Sequence, residues 1–290
     1  IMKTPETVQQ WFEAAGNELL ERLNVRTDQP VLDFGCGIGS LAVPLASRVS
    51  EAVVYAVDKS RPNLRTLEKH AAEYGPFPNL RILHTDGRVQ FPEIPSEHCQ
   101  AVFVFDVLQH LEDWAGLFDE CRRILVPHGV LHVNPSAISH PGRVDTDRLE
   151  RLLADQEILL KDRIRTKLMH YKHMAEDEIL SFAKVTPFQA LVFRTLQSVP
   201  EGSVTTYGRL AEAIGCPSAQ AVGQALRRNP CAPRVPCHRV VAADATLGGF
   251  AGETNGVELE RKRRLLEDEG VHFNQHGALR DPNRLISPRS

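Results

Sequence analysis

A chain of 290 residues, 42% hydrophobic and 24% charged, has the make-up of ordinary globular protein and room for two domains. Its net charge of −3 excludes a wholly basic nucleic-acid-coating protein, and no apolar run approaches the ~20 residues needed to cross a bilayer. From residue 185 onward 13 Lys/Arg face 10 Asp/Glu, which leaves the first part acidic and permits DNA contact by the second without requiring it.

Residues 7–24 place Trp11, Phe12, Ala15, Leu19, Leu20 and Leu23 at helical spacing. A buried strand over 30–34 leads through a glycine cluster into a helix over 40–48. Strand 52–57 ends at Asp58, helix 61–74 follows, and strand 80–83 ends near Asp86. Strand 101–105, helix 114–125 and strand 129–133 complete an alternation that implies a parallel sheet with helices on both faces. A helix over 145–154 and strands over 158–169 and 178–182 read as the antiparallel close of that sheet; a charged connecting helix through 145–180 is the alternative. At Thr186-Pro187-Phe188-Gln189 a new helix starts with capping chemistry. The boundaries expected are 1–184, 185–275 and a tail over 276–290.

Asp33-Phe34-Gly35-Cys36-Gly37-Ile38-Gly39 lies between a strand and a helix, where glycines let the backbone turn tightly beside a ligand. The spacing is GxGxG, unlike the dinucleotide fingerprint. Asp58 comes nineteen residues after Gly39, at a strand end where a carboxylate can accept two ribose hydroxyls. With Asp86 on the third strand end, the set resembles class I S-adenosylmethionine-dependent methyltransferases over residues 25–184. The resemblance implies that Gly35 and Gly37 line the methionine part of the cofactor S-adenosylmethionine. It further implies that Asp33 holds the loop and the cofactor amino group, Asp58 the ribose, and Asp86 the adenine amino group. Asp106 and His110, after the fourth strand, are candidates to orient a methyl acceptor or act as base, or are a solvated loop and helix start. Asn134-Pro135 and His140 are further candidates for the wall. That family's DNA-amino members carry an Asn/Asp-Pro-Pro-aromatic motif here, and this chain does not, so the acceptor is unidentified.

Pro236-Cys237-His238-Arg239 sets a thiol beside a histidine and an arginine, and a thiol is a nucleophile only as thiolate. With Tyr207 in Thr205-Thr206-Tyr207-Gly208-Arg209 upstream and Asn229-Pro230 before it, the stretch over about 186–273 resembles the catalytic domain of the alkylguanine-DNA alkyltransferases. Those proteins move an alkyl group from guanine O6 to their own cysteine, on a base turned out of the duplex. The resemblance implies Cys237 as alkyl acceptor, His238 as its base, Glu269 orienting that histidine, Asn229 bracing the turn, and Tyr207 supporting base flipping. Helices over 206–215 and 219–228 form a helix-turn-helix in a small, mainly helical, winged-helix-like domain. The resemblance implies that Gln220, Ala221 and Gly223 of its second helix, with Arg239 near the thiol, meet DNA; the small Ala221, Gly223 and Ala225 suit close approach to the groove, or ordinary helix packing.

Three departures stand out. Gln220 occupies the place of an arginine that fills the gap left by the flipped base, so duplex binding should weaken. In the glycine loop, Phe250 can stack on a base while Ala251 offers no hydroxyl, and residues 253–257 are an insertion beside the pocket.

The sequence thus predicts a bifunctional methyltransferase of α/β class, a Rossmann-like doubly wound sheet followed by the small domain. Its second half would repair O6-alkylguanine in duplex DNA, and its first half would methylate an unknown acceptor. The alternatives are a coupled enzyme in which Cys237 takes methyl from S-adenosylmethionine or a metabolite, and a non-enzymatic lesion sensor. Six cysteines (36, 99, 121, 216, 231, 237) without CxxC spacing suggest reduced thiols, no metal site and a cytoplasmic location. No secretion signal is read at the N-terminus, no membrane partner is expected, and a monomer is expected.

Overall fold

The structure, a computed structural model, describes residues 9–135, 144–170 and 173–289. The chain divides into two compact units, Ile1–Lys184 and Val185–Ser290.

The first unit is built on a seven-stranded sheet in the order β3-β2-β1-β4-β5-β7-β6. Its strands are β1 (Val31–Phe34), β2 (Val54–Asp58), β3 (Leu80–His84), β4 (Cys99–Phe105), β5 (Leu125–Asn134), β6 (Ile158–His170) and β7 (His173–Lys184). The first five are parallel. β7 runs antiparallel between β5 and β6, so the antiparallel close read from the sequence is correct and the connecting helix through 145–180 is not. β1 is buried along its whole length, as expected of a central parallel strand covered on both faces. Leu32 and Phe34 enter one core with Val102, Val104, Leu117 and Phe118, while Val31 enters the other with Val54, Ala101, Phe103 and Leu45. Successive strand side chains point to opposite faces, so one four-residue strand serves both layers.

The covering helices are α1 (Gly16–Arg22, continuing a π-helical turn Trp11–Ala15), α2 (Ala42–Arg48), α3 (Arg61–Tyr74), α4 (Trp114–Ile124) and α5 (Thr146–Asp155). Ser60, Asp113 and Asp145 cap the last three by accepting backbone N–H groups of the first turn. Between β1 and β4 the strand order reverses direction. In open α/β sheets the crevice outside the carboxyl ends at such a point is where ligands bind.

The second unit opens with α6 (Pro187–Gln197), where Thr186 and Gln189 form the reciprocal capping box that its first four letters suggested. Then come α7 (Tyr207–Ala213), α8 (Ala219–Arg227) and α9 (Val257–Asp268). A two-stranded parallel ribbon joins β8 (Thr205–Thr206) to β9 (Val240–Val241). Residues 276–290, read from the sequence as a separate tail, are instead woven into this unit through residue 289. Val204 N donates to Arg284 O (2.8 Å), Ile286 N donates to Val204 O (2.9 Å), and Leu285 packs on the core of Val204, Leu266 and Phe273.

Candidate functional site

A cavity of about 720 Å³ opens in the first unit at the switch point, lined among others by Asp33, Gly35, Gly37, Asp58 and Asp106. The turn after β1 is fixed by Gly35 and Cys36, whose N–H groups both donate to Val57 O (2.8 and 3.0 Å). Gly35 has φ +76°, and a Cβ there would overlap the Val107 side chain, so glycine is required on two counts. At Gly37, with φ +54°, a Cβ would meet only Gly35 O, at an ordinary contact distance of 3.9 Å. Asp58 accepts Gly37 N on Oδ2 (2.8 Å) and Ser60 N on Oδ1 (2.7 Å), which clamps the end of β2 to the turn.

Asp33 is 2% exposed, and its Oδ2 has no hydrogen-bond partner. Burial, together with the Asp58 charge, pushes its carboxyl up to about 8, against a backbone hydrogen bond from Ala42. A crowded carboxyl with one oxygen unpaired is suited to a cationic amino group. Asp58 keeps lone pairs for hydroxyl donors, and the open glycine turn admits close backbone approach. The residues present therefore fit S-adenosylmethionine.

Not every expected residue comes to this cavity. Asp86 is exposed and pairs with Arg88 (3.2 Å); Thr85, Gly87 and Arg88 line the wall in its place. Asp106 and His110 both line the cavity, while His140 lies outside the described residues. Asp106 adopts φ +55°, a conformation in which Asp and Asn are enriched, and its carboxylate meets His170 Nδ1 at 2.8 Å. His170 went unnoticed in the sequence. The available signal was its place at the end of a strand running parallel to β5, on the same edge as the other strand ends.

In the second unit Cys237 begins a short 3-10 turn, Cys237–Arg239, leading into β9. The loop before it is braced by Asn229, whose Nδ2 donates to Val235 O (3.0 Å) and whose Oδ1 accepts Cys231 N (2.9 Å). His238 is buried, with Nε2 2.8 Å from Glu269 Oε1. Burial holds its pKa below the usual 6.5, with Glu269 opposing, so the imidazole is neutral and able to take a proton at neutral pH. Burial opposes the Glu269 charge, but Arg239 and His238 hold that carboxyl below the usual range.

Arg239 is corrected by this geometry. Its Nη2 donates to Glu269 Oε1 (2.8 Å) and its Nη1 to Val199 O (2.8 Å), and with 15% of the side chain exposed it is a structural brace rather than a DNA contact.

Lys262, like His170, has no assigned role in the sequence reading. It is fully buried, and its Nζ donates to Val240 O (2.6 Å), Leu247 O (2.6 Å) and Gly249 O (3.1 Å). Burial pulls its pKa down to about 7, while the Cys237 charge pulls it up. The Cys237 thiol is itself pushed up by burial, against a hydrogen bond from Asn229 and the charges of Lys262 and Arg261. A signal was present: Leu259, Lys262, Leu266 and Glu269 share one helical face, so a lysine stands in an apolar stripe.

Tyr207 starts α7, donates its hydroxyl to Gly249 O (3.3 Å), and lies over Gly223, where a Cβ would stand 3.8 Å from its ring. Gln220 is exposed at the start of α8, Ala221 and Gly223 are half-buried, and Ala225 is turned into the core. Phe250 is half-buried beside the Lys262 ammonium, which lies 6.0 Å from its ring centroid. Ala251 is exposed at φ +51°, in a tight loop closed by reciprocal Phe250–Glu253 backbone bonds of 2.8 Å; the insertion that follows is exposed.

Residues 31–129 match the family model described as a methyltransferase domain, and residues 187–271 match that of the 6-O-methylguanine DNA methyltransferase DNA-binding domain. Two domain types are joined in this chain. The alkyltransferase-type domain is 49% identical over 86 residues to the methylated-DNA–protein-cysteine methyltransferase of Shigella flexneri, covering 29% of this chain and 47% of that protein. It is 50% identical over 93 residues to that of Thermococcus kodakarensis, covering 32% and 49%. The chain thus spans about half the length of the curated relatives it matches. Solved structures similar to the methyltransferase part include a SAM-dependent methyltransferase from Aquifex aeolicus (14% identity, TM-score 0.49, 63% of this chain and 100% of that one). Another is a SAM-dependent methyltransferase from Methanosarcina mazei (14% identity, TM-score 0.46, 57% and 97%). The alkyltransferase-type match encloses Cys237, His238, Lys262 and Glu269. The methyltransferase match encloses Asp33, Asp58 and Asp106 but stops short of His170.

Proposed function

We propose that this chain is a bifunctional methyl-transfer protein, in which the second domain removes alkyl groups from guanine O6 in DNA and the first methylates an acceptor from S-adenosylmethionine. The single observation that carries the repair reading is the buried His238–Glu269 pair that follows Cys237 in the chain. Cys237 loses its proton to His238, directly or through water, while Glu269 keeps the ring oriented. The thiolate attacks the alkyl carbon, the S–C bond forms as the C–O6 bond breaks, and the electron pair leaves on O6, where a proton neutralises the restored guanine. A thioether does not reverse under these conditions, so each chain turns over once. Exposed Gln220 and half-buried Ala221 and Gly223 offer α8 as the face toward the duplex.

In the first domain Asp33, Gly35, Gly37 and Asp58 would hold the cofactor, which when bound supplies an electrophilic methyl group on a sulfonium. Asp33 provides the carboxyl for its amino group, Asp58 accepts from its hydroxyls, and Gly37 permits the backbone to lie against it.

The repair reading is tested with duplex DNA carrying O6-methylguanine and intact-mass analysis. It expects one added methyl on the peptide holding Cys237 and none in Cys237→Ser; a wild-type protein that stays unmodified rules it out.

A further inference from the structure

Beyond the glycine turn the cavity of the first unit ends in a wall that includes Asp106, Gln109, Asn134 and His170. This wall has a definite polarity. Asn134 is fully buried; its Nδ2 donates to Glu178 O (2.9 Å), and Oδ1 is left without a partner. Gln109 repeats the pattern, with Nε2 donating to Asp106 O (2.9 Å) and Oε1 unpartnered. Asp106 adds a carboxylate with 34% of its side chain exposed. A buried carbonyl oxygen left unsatisfied is costly, so two of them beside a carboxylate are the complement of a ligand rich in N–H.

Charge narrows the choice. His170 Nδ1 lies 2.8 Å from Asp106 Oδ2, and its Nε2 lies 3.3 Å from Asp177 Oδ2, whose side chain is 7% exposed. Burial disfavours the imidazolium, but the two carboxylates win and raise the His170 pKa above its usual value. Two carboxylates against one imidazole leave the cluster anionic whichever form the ring takes. An anionic cluster is a good counter-charge for a nitrogen that turns positive as it reacts.

We infer that the methyl acceptor of the first domain is an aliphatic amine, its N–H groups seated on Asp106, Gln109 and Asn134. The inference rests on the reading of that domain as an S-adenosylmethionine-dependent methyltransferase. The bound ammonium first passes one proton through the exposed edge of Asp106 to water. The nitrogen lone pair then forms the N–C bond as the S–C bond breaks with its pair on sulfur, and the positive charge moves from sulfur to nitrogen. Asp106 thereby stabilises the transition state more than the neutral amine that precedes it. His170 is a positioning residue that fixes the Asp106 carboxylate across the ends of β4 and β6.

The experiment uses the full chain and two readouts. Binding of putrescine, phenethylamine and ethanolamine to the cofactor-free protein is followed by ligand-observed NMR, against the alcohols that carry hydroxyl in place of each amino group. Methyl-labelled S-adenosylmethionine is then added, its own affinity measured by calorimetry, and product label sought in both sets. The expected result is binding and labelling of amines alone. Asp106→Asn, which keeps the left-handed backbone, should weaken amine binding about 10-fold or more while cofactor affinity is unchanged. Labelled alcohols, or cofactor binding with no amine bound or labelled, overturn the inference and leave the cofactor reading standing. Failure to bind S-adenosylmethionine overturns that reading instead, and amine binding in the cofactor-free protein still decides whether the wall recognises amines.

Discussion

Glu269 receives His238 Nε2 on the same oxygen, Oε1, that it offers to Arg239 Nη2, both at 2.8 Å. Gly202 N completes the shell on Oε2 (3.3 Å). The carboxylate is thus held from three sides before it acts on the imidazole, so its orientation is set by the fold rather than by substrate.

Glu269→Gln keeps the shape of that group and removes its charge. The His238 ring then loses its oriented anionic partner and Arg239 loses its counter-ion. Single-turnover methyl transfer from an O6-methylguanine duplex should fall by roughly 10²-fold or more. Breaking a buried pair from one side should also cost on the order of 3 kcal/mol in urea unfolding. A variant that transfers at the wild-type rate would remove Glu269 from the mechanism.

Lys262→Met tests a different influence on the same thiol. Lys262 is one of the charges that lower the Cys237 pKa, so its removal leaves burial less opposed and the thiol higher. Iodoacetamide alkylation of Cys237 near pH 7 should slow about 3–10-fold, and the pH–rate curve should shift to higher pH. If only the amplitude changes and the curve keeps its position, Lys262 acts on folding alone.

Lys262 also shows where sequence reading stops. The strand–helix alternation, the antiparallel close and the capping box at Thr186 were all legible, because each rests on local periodicity or on a side chain bonding three residues away. The place of Asp33, Gly35, Gly37 and Asp58 around one cavity was legible for the same reason: their spacing ties them to strand ends. Asp86 stands apart from the cavity lining because it pairs with Arg88, a pairing that leaves no mark in the sequence. His170 was missed because its partner lies 64 positions away across two intervening strands. Arg239 was misread for a related reason: an arginine beside a reactive thiol looks like a phosphate contact until Glu269 is seen folded against it.

Asp58 and Asp86 should separate cleanly in a binding assay. Asp58 bonds the glycine turn and lines the cavity, whereas Asp86 faces Arg88 and solvent. Asp58→Ala should weaken S-adenosylmethionine binding about 100-fold in calorimetry, from loss of charge-assisted bonds and a loosened turn. Asp86→Ala should stay within about 2-fold, as exposed ion pairs contribute little. Equal losses in both variants would contradict this assignment of the wall.

Gln220→Arg restores a cation at the exposed start of α8. Affinity for a lesion duplex should rise, and the dependence of log K on log salt should steepen by roughly one unit, the signature of one added phosphate neutralised. Fluorescence anisotropy at several salt concentrations measures both. An unchanged salt slope would show that α8 does not meet the duplex at this position.

His132 makes the first unit sensitive to acid. It is 4% exposed, stacks on Phe103 with centroids 4.9 Å apart, and bonds Ser181 Oγ through Nδ1 (2.9 Å). Burial, helped by the Lys161 charge, pushes its pKa from 6.5 down to about 3. The folded state therefore keeps it neutral while the unfolded state takes a proton below pH 6.5, so stability is full above that value and drains away toward pH 3. Between pH 7 and pH 5 this one residue should cost about 2 kcal/mol. Both tryptophans, Trp11 and Trp114, belong to this unit, so urea unfolding followed by tryptophan fluorescence reports it selectively. His132→Gln, which can still bond Ser181, should lower stability at pH 7 yet lose less on going to pH 5 than the wild type does. Parallel losses in the two proteins would place the acid sensitivity elsewhere.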